Sequence, residues 1–377
     1  MRATWGKHLK VAVVTHSTDR GGAERVVQTW IARLGKRGHE VTLFGTDAPN
    51  ATESAQYGQP VHEWELHGAR LVELAAKGDG HWTKVRRLRR ELEDGEFDVC
   101  LAMQTYPSLL TLTAVRSIRR RPPVVLSERS VPSMLLKRQG RSQRLQLSVA
   151  RRLYRLADAA VAISHPVAAD LISSFNIDPD RVHVVPNPAV DATRTVVPQQ
   201  TDGSHDLAIV LPSRLVPEKR PLLAVDVAEE LVRRGQRVKI VVFGLGPMRG
   251  ALEAAAARAG VPIEIVGWVD DWTTAAPPSS VMLLPSTCEG FGNVLVEAAA
   301  AGIPSVAMST ALGVADALVP GVTGELVYLD SPTAIADAVQ RAAHHRVDAS
   351  DWLERFSVDN STDLLTAVFD RVVSLRR

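Results

Sequence analysis

Two glutamates, Glu289 and Glu297, bracket a glycine-rich loop, Cys288-Glu-Gly-Phe-Gly-Asn-Val-Leu-Val-Glu297, that opens onto an alanine-rich run closed by Gly302. The apolar run Val281 to Leu284 precedes it and stops at Pro285-Ser286, as a buried strand with a clean end does. Strand, tight loop and helix is the local order this predicts, with alanines carrying the helix. Such a loop leaves backbone N–H groups unpaired at a helix N-terminus, a ready site for a phosphate. One carboxylate in the loop and one inside the helix can address different parts of a single elongated ligand. A cationic pair comes earlier, in Ser213-Arg214-Leu-Val-Pro-Glu-Lys219, after the apolar run Leu207 to Leu211. The forked donors of Arg214 and the compact charge of Lys219 suit two adjacent phosphates. An isolated pair of this kind otherwise reads as an exposed turn.

A competing chemistry starts at Phe243-Gly244-Leu-Gly246-Pro247. Strand, Gly-x-Gly and helix is how a dinucleotide site begins, and it opens the alternative of a nicotinamide-dependent oxidoreductase. The next glycine, Gly250, comes one residue late for that fingerprint. Glu264, at the usual offset of about 20 residues for the ribose acid, falls inside a strand pattern rather than at its end. Cys288 has no base placed beside it in sequence and reads as a small buried thiol.

These residues need a scaffold that gathers strand ends. In the second half, strand patterns fall at 207–211, 237–243, 263–266, 281–284, 305–308 and 325–327, and helical ones at 221–234, 248–259, 293–301 and 332–343. That alternation predicts a doubly wound α/β domain, whose ligands lie outside the carboxyl ends of the strands. The first half opens with strand 9–15, the turn Gly21-Gly22, and a helix bearing Val26, Val27, Trp30, Ile31 and Leu34 that ends at Gly35 and Gly38. Strand 40–44 follows, and a right-handed crossover makes the sheet parallel. Further strand patterns lie at 97–103, 124–127, 159–164 and 182–185. Residues 49–82 carry little pattern beyond a strand at 61–66. The polar stretch 191–206 reads as a linker, and 352–377 as one or two helices.

The chain is 377 residues long, 45% hydrophobic and 23% charged, long enough for two ordinary domains. It has no apolar run near the ~20 residues that span a bilayer. Its start lacks a signal-peptide pattern, and the expected location is cytoplasmic. The two cysteines, Cys100 and Cys288, supply neither a disulfide framework nor zinc spacing. Charge is uneven: 28 Lys and Arg stand against 19 Asp and Glu over residues 1–190, and 16 against 23 over the rest. Between Arg116 and Arg155, 12 basic residues face one acidic residue, Glu128. In that stretch Leu145, Val149, Leu153 and Leu156 form one helical stripe, and Arg144, Arg151 and Arg155 another. A peripheral helix on an anionic membrane, or a receptor for a lipid-diphosphate acceptor, fits this pattern. A core-facing helix with a solvated Arg face fits it too. No aromatic interleaving supports nucleic-acid binding.

With Glu289-x7-Glu297, the Arg214-x4-Lys219 clamp and the Gly244-x-Gly246-Pro turn in hand, the chain resembles the retaining glycosyltransferases of the GT-B fold, family 4. The resemblance is strong from Ser213 to Gly324, moderate at Gly21-Gly22 and architectural elsewhere. It implies two Rossmann-like domains facing across a cleft. An acceptor domain would span 1–190 and a nucleotide-sugar domain 191–354, with a C-terminal helix at about 355–377 crossing back to the first. It implies donor contacts from Gly22, Gly244, Gly246, Gly267, Phe291, Gly292, Asn293 and the backbone N–H groups of Val294 and Leu295. Glu297 would take the ribose hydroxyls and Glu289 the sugar, while Arg214 and Lys219 steady the leaving diphosphate. Where relatives carry a His against the donor sugar, this chain has Glu128-Arg129, and Arg129 is expected there. Asp316 stands where relatives usually carry Glu.

The expected activity is transfer of a hexose or N-acetylhexosamine from a nucleoside-diphosphate sugar, UDP favoured, with retention and without bound metal or other cofactor. A cell-envelope glycan, glycolipid or lipid-diphosphate acceptor is expected, with a soluble small-molecule acceptor as the alternative.

Overall fold

The computed structural model describes residues 8–16, 22–46, 67–74, 79–138, 140–190 and 207–376. Among them, one compact unit takes the residues up to Pro188 together with those from Ser357 onward, and a second takes Ala189 to Phe356. The expected linker 191–206, the expected strand 61–66 and Gly21 lie outside the described residues.

The first unit holds β1 (Lys10–Thr15), β2 (Glu40–Gly45), β3 (Arg70–Glu73), β4 (Val99–Met103), β5 (Val124–Glu128), β6 (Ala159–Ala162) and β7 (Val182–Val184). They form one sheet in the order β3-β2-β1-β4-β5-β6-β7, every pairing parallel. Strands such as β4, Val-Cys-Leu-Ala-Met, are apolar throughout and fully buried, as strands covered on both faces must be. The opening helix, Gly22–Lys36, runs through Gly35, and the turn is made at Gly38 with φ +87°. It presses Val26, Val27, Trp30, Ile31 and Leu34 onto the sheet.

The C-terminal helix, Val358–Ser374, belongs to this first unit. Ser357 caps it, its side chain accepting from Asn360 N at 3.2 Å. Leu365, Val368, Phe369 and Val372 then join the same core as Trp30 and Leu34, each fully buried side chain contributing about 1.5–3 kcal/mol. The contact is fixed in register by Trp30 Nε1–H, which donates to Ser361 Oγ at 3.0 Å, and by the Arg33–Asp359 and Arg37–Asp363 ion pairs.

The second unit holds β8 (Leu207–Leu211), β9 (Val238–Val242), β10 (Ile263–Ile265), β11 (Ser280–Leu284), β12 (Ser305–Met308) and β13 (Gly324–Val327). Their order is β10-β9-β8-β11-β12-β13, again all parallel. Each sheet therefore carries the doubly wound 3-2-1-4-5-6 order, the first with a seventh strand added. The strand order reverses between β1 and β4 in one unit and between β8 and β11 in the other. Ligands of such sheets bind beyond those strand ends.

Of the two sequence readings of the basic stretch, the core-facing helix is the one the structure does not bear out. The helix Arg141–Leu153 buries Leu147 and Ala150, not the stripe of Leu145, Val149, Leu153 and Leu156. Leu145 is 66% exposed and Leu156 44% exposed, so that stripe does not face the core.

Candidate active site

The loops after β8 and β11 meet at the switch point of the second sheet. After β8 the chain passes through Ser213-Arg214, buries Leu215 as an anchor, and makes a tight turn over Pro217–Lys219. Thr287 N, after β11, donates to Glu218 O at 3.0 Å, which joins the two loops. Lys219 Nζ donates to Glu289 Oε1 in an ion pair, with both side chains largely buried. Arg214 stands exposed beside them in sequence.

The Gly244 and Gly246 turn has a packing reason. Leu215 N donates to Leu245 O at 2.9 Å, and Met248 N to Leu215 O at 3.0 Å. A Cβ on Gly244 would lie 2.0 Å from Ser213 O, and one on Gly246 2.4 Å from Leu215 O. The two glycines let the post-β9 loop lie against the loop that carries Arg214 and Lys219. A dinucleotide fingerprint is not needed to account for them. Gly267 is buried after β10 with φ +91°, and a Cβ there would come nearest the Leu245 side chain, at 3.8 Å.

After Glu289 the loop tightens. Gly313 N donates to Glu289 O at 3.1 Å, and a Cβ on Gly313 would lie 2.2 Å from the Gly290 carbonyl carbon. Phe291 turns its ring into the core, 2% exposed and 5.3 Å from the Phe356 ring. It anchors the loop with its side chain rather than presenting that ring to a ligand. Gly292, at φ +96°, precedes the helix Asn293–Ala300. From that left-handed turn the helix sets off with Leu295 and Val296 sunk into the core. The Leu295 N–H is already taken by Gly292 O at 2.9 Å, so the phosphate contact expected of it is not open; the helix dipole adds positive potential at the rest of the first turn. Glu297, partly buried, accepts from Trp272 Nε1–H at 2.8 Å.

Trp272 and Gly313 were not singled out by sequence reasoning as site residues. For Gly313 a weak signal existed in the glycine of Ala311-Leu-Gly-Val-Ala-Asp316. Trp272 carried none beyond its place after Asp270-Asp271. Asp271 is engaged in capping the helix Trp272–Ala275, accepting from Thr273 N at 3.0 Å and from its hydroxyl at 2.7 Å. Among the described residues no group of three or more His, Cys, Asp or Glu is placed to hold a metal.

In the first unit, Gly22 starts the helix that follows β1. The pair at the end of β5 is committed internally. Glu128 is 1% exposed and accepts from the Tyr154 hydroxyl and from Thr105 Oγ1 at 3.2 Å. Burial pushes its carboxyl up to about 7, against the pull of Tyr154, Thr105 and the Arg129 charge. Arg129 donates to Asn187 Oδ1 at 2.6 Å and to Ser127 Oγ at 2.7 Å, and its guanidinium lies 4.4 Å from the Trp30 ring centroid. Burial lowers it to about 9, partly offset by Glu128. The Arg129 head group is thus placed among partners of its own unit, not presented as an open sugar contact.

Residues 20–193 match the family model Glycosyltransferase Family 4, and residues 206–345 match the model Glycosyl transferases group 1. Among curated proteins, the chain is 31% identical over 247 residues to D-inositol 3-phosphate glycosyltransferase 2 of Catenulispora acidiphila, covering 58% of this chain and 57% of that protein. It is 26% identical over 246 residues to D-inositol 3-phosphate glycosyltransferase of Gordonia bronchialis, covering 58% and 53%. The matched stretch therefore spans a little over half the length of these relatives. Among solved structures, Anabaena Alr3699/HepE in complex with UDP and glucose aligns at TM-score 0.76 with 18% identity, covering 97% of this chain and all of that one. The lipopolysaccharide outer core galactosyltransferase WaaB aligns at 0.74 with 18% identity, covering 96% and 99%.

Proposed function

We propose, for a chain that belongs to glycosyltransferase family 4 and has the GT-B fold, that it moves a hexose or N-acetylhexosamine from a nucleoside-diphosphate sugar, a uridine donor first, to an acceptor hydroxyl. The observation that carries this reading is the Lys219–Glu289 ion pair at the β8/β11 switch point, beside the N-terminus of helix Asn293–Ala300. In that arrangement a donor diphosphate takes Lys219, Arg214 and the Val294 N–H at the helix N-terminus. Glu289, released from Lys219, accepts from sugar hydroxyls near the anomeric carbon, and Glu297 accepts from the ribose. The bond from the anomeric carbon to the diphosphate oxygen breaks, and a bond to the acceptor oxygen forms. The acceptor proton leaves with the diphosphate. Preorganised cations stabilise the charge that develops on the leaving group, which makes retention without a bound metal the reaction course we propose.

For the acceptor we propose an envelope glycolipid or lipid diphosphate, reached at the inner face of a membrane from the cytoplasm. Its support is the exposed Leu145 and Leu156 among Arg141, Arg144, Arg151, Arg152 and Arg155, all exposed. Among the described residues no helix is long and apolar enough to cross a membrane. A second reading, a soluble phosphorylated polyol, is favoured by the relatives whose names specify D-inositol 3-phosphate.

The test is transfer from a panel of nucleoside-diphosphate sugars to lipid-linked and soluble acceptors, with the anomeric configuration of the product read by NMR. An α-linked product from an α-linked UDP-sugar is expected. Reduction or oxidation of a nicotinamide cofactor in place of transfer would overturn the reading.

A further inference from the structure

Glu297 is oriented by a side chain 25 positions earlier in the chain. Trp272 begins the short helix that Asp271 caps, and its ring is 7% exposed. It packs at a tilt against Phe243, just past the end of β9, with centroids 6.3 Å apart. Its Nε1–H then donates to Glu297 Oε2 at 2.8 Å. A buried indole needs an acceptor for its N–H, and a backbone carbonyl would serve. Here the acceptor is one of the two carboxylates that flank the glycine loop.

The two carboxylates are held in opposite ways. Glu289 is paired with a cation. Glu297 makes no ion pair among the described residues, and its only side-chain hydrogen bond among them is the one to Trp272, on a single oxygen. An indole N–H is a donor only and sits on a rigid ring, so it holds the oxygen it occupies and narrows the orientations open to the other. An untethered glutamate loses rotamer freedom when it first engages a ligand. A tethered one has lost it on folding, and binding gains accordingly.

We infer that Trp272 is a positioning residue for sugar-ring recognition in the nucleotide. By engaging Oε2, it leaves Oε1 of Glu297 as a fixed acceptor for a ribose hydroxyl, and so makes the site select ribonucleotides over their deoxy counterparts. This rests on the donor reading above, in which Glu297 meets the ribose.

Calorimetry on the full chain with UDP, 2′-deoxy-UDP and 3′-deoxy-UDP tests it. The wild type is expected to bind one or both deoxy nucleotides about tenfold more weakly, the cost of a lost hydrogen bond to a charged group. In Trp272→Phe, which keeps an aromatic ring against Phe243 but lacks the N–H, that ratio is expected to fall to about threefold or less. General loosening of the loop would weaken all three nucleotides alike and leave the ratio unchanged. A ratio retained in full in Trp272→Phe therefore overturns the inference. Should that variant fail to fold, site-specific replacement of Trp272 by 3-benzothienylalanine exchanges only the N–H for sulfur and is read the same way. UDP binding with no ribo preference in the wild type would instead overturn the role of Glu297 itself.

Discussion

Lys219 and Glu289, 70 positions apart in sequence, form an ion pair at the carboxyl end of the second sheet. Backbone contacts hold both ends. Thr287 N meets Glu218 O at 3.0 Å, and Gly313 N meets Glu289 O at 3.1 Å. Each charge is thereby presented on a braced loop, and each balances the other until an anion competes for the lysine.

The bracing makes Gly313 a sensitive point. A Cβ there would meet the Gly290 backbone at 2.2 Å, and overpacking of this kind costs about 1–3 kcal/mol. Gly313→Ala is expected to lower the melting temperature and to weaken UDP binding together. Unchanged melting and unchanged UDP affinity would remove the brace from the account.

The two glutamates should fail differently. Glu297→Ala is expected to weaken free UDP binding, about tenfold for a lost charge-assisted hydrogen bond. Glu289→Ala should leave UDP affinity nearly intact and lower kcat, because its proposed partner is the sugar. Equal losses of UDP affinity in both would erase the division of roles.

The basic helix of the first unit should bind anionic vesicles. Each Lys or Arg near such a surface contributes about 1 kcal/mol, screened as salt rises. Sedimentation with phosphatidylglycerol vesicles at low salt should carry the protein down, and the double variant Arg144→Glu/Arg151→Glu should stay in solution. No sedimentation of the wild type at low salt would favour the soluble acceptor.

Glu128 gives the first unit a pH dependence. Its carboxyl is raised from an ordinary value of 4.5 to about 7 by burial, so between those values the folded state holds a proton that the unfolded state has released. Stability from this group is complete below about pH 4.5 and is lost as pH rises through about 7, on the order of 3 kcal/mol in all. Glu128→Gln keeps an acceptor for Tyr154 but cannot ionise. Relative to wild type, it is expected to be more stable at about pH 8 than at about pH 5. Denaturant midpoints that differ by the same amount at both pH values would contradict this.

Much of the scaffold was legible because buried parallel strands are continuous apolar runs. β8 and β12 fall on the residues the runs delimit. β3, Arg-Leu-Val-Glu, was missed because it is a short edge strand in which only Val72 is buried. At the site, residue types and spacing picked out Arg214, Lys219, Glu289 and Glu297. They could not show that Phe291 faces inward, that Gly244 and Gly246 serve backbone packing, or that Arg129 is taken up by Asn187, Ser127 and Trp30. The Trp272–Glu297 contact joins segments that only the crossover topology brings together.

If protein cations, rather than a metal, hold the donor diphosphate beside Glu289, UDP binding depends on Lys219 and not on a divalent ion. The most direct measurement is titration of UDP into the wild type and Lys219→Ala in excess EDTA. The wild type is expected to bind in EDTA, unchanged by added Mn²⁺, and Lys219→Ala to lose about tenfold or more, the scale of a hydrogen bond to a charged group. UDP binding that disappears in EDTA and returns only with Mn²⁺, or that ignores the loss of Lys219, would contradict it.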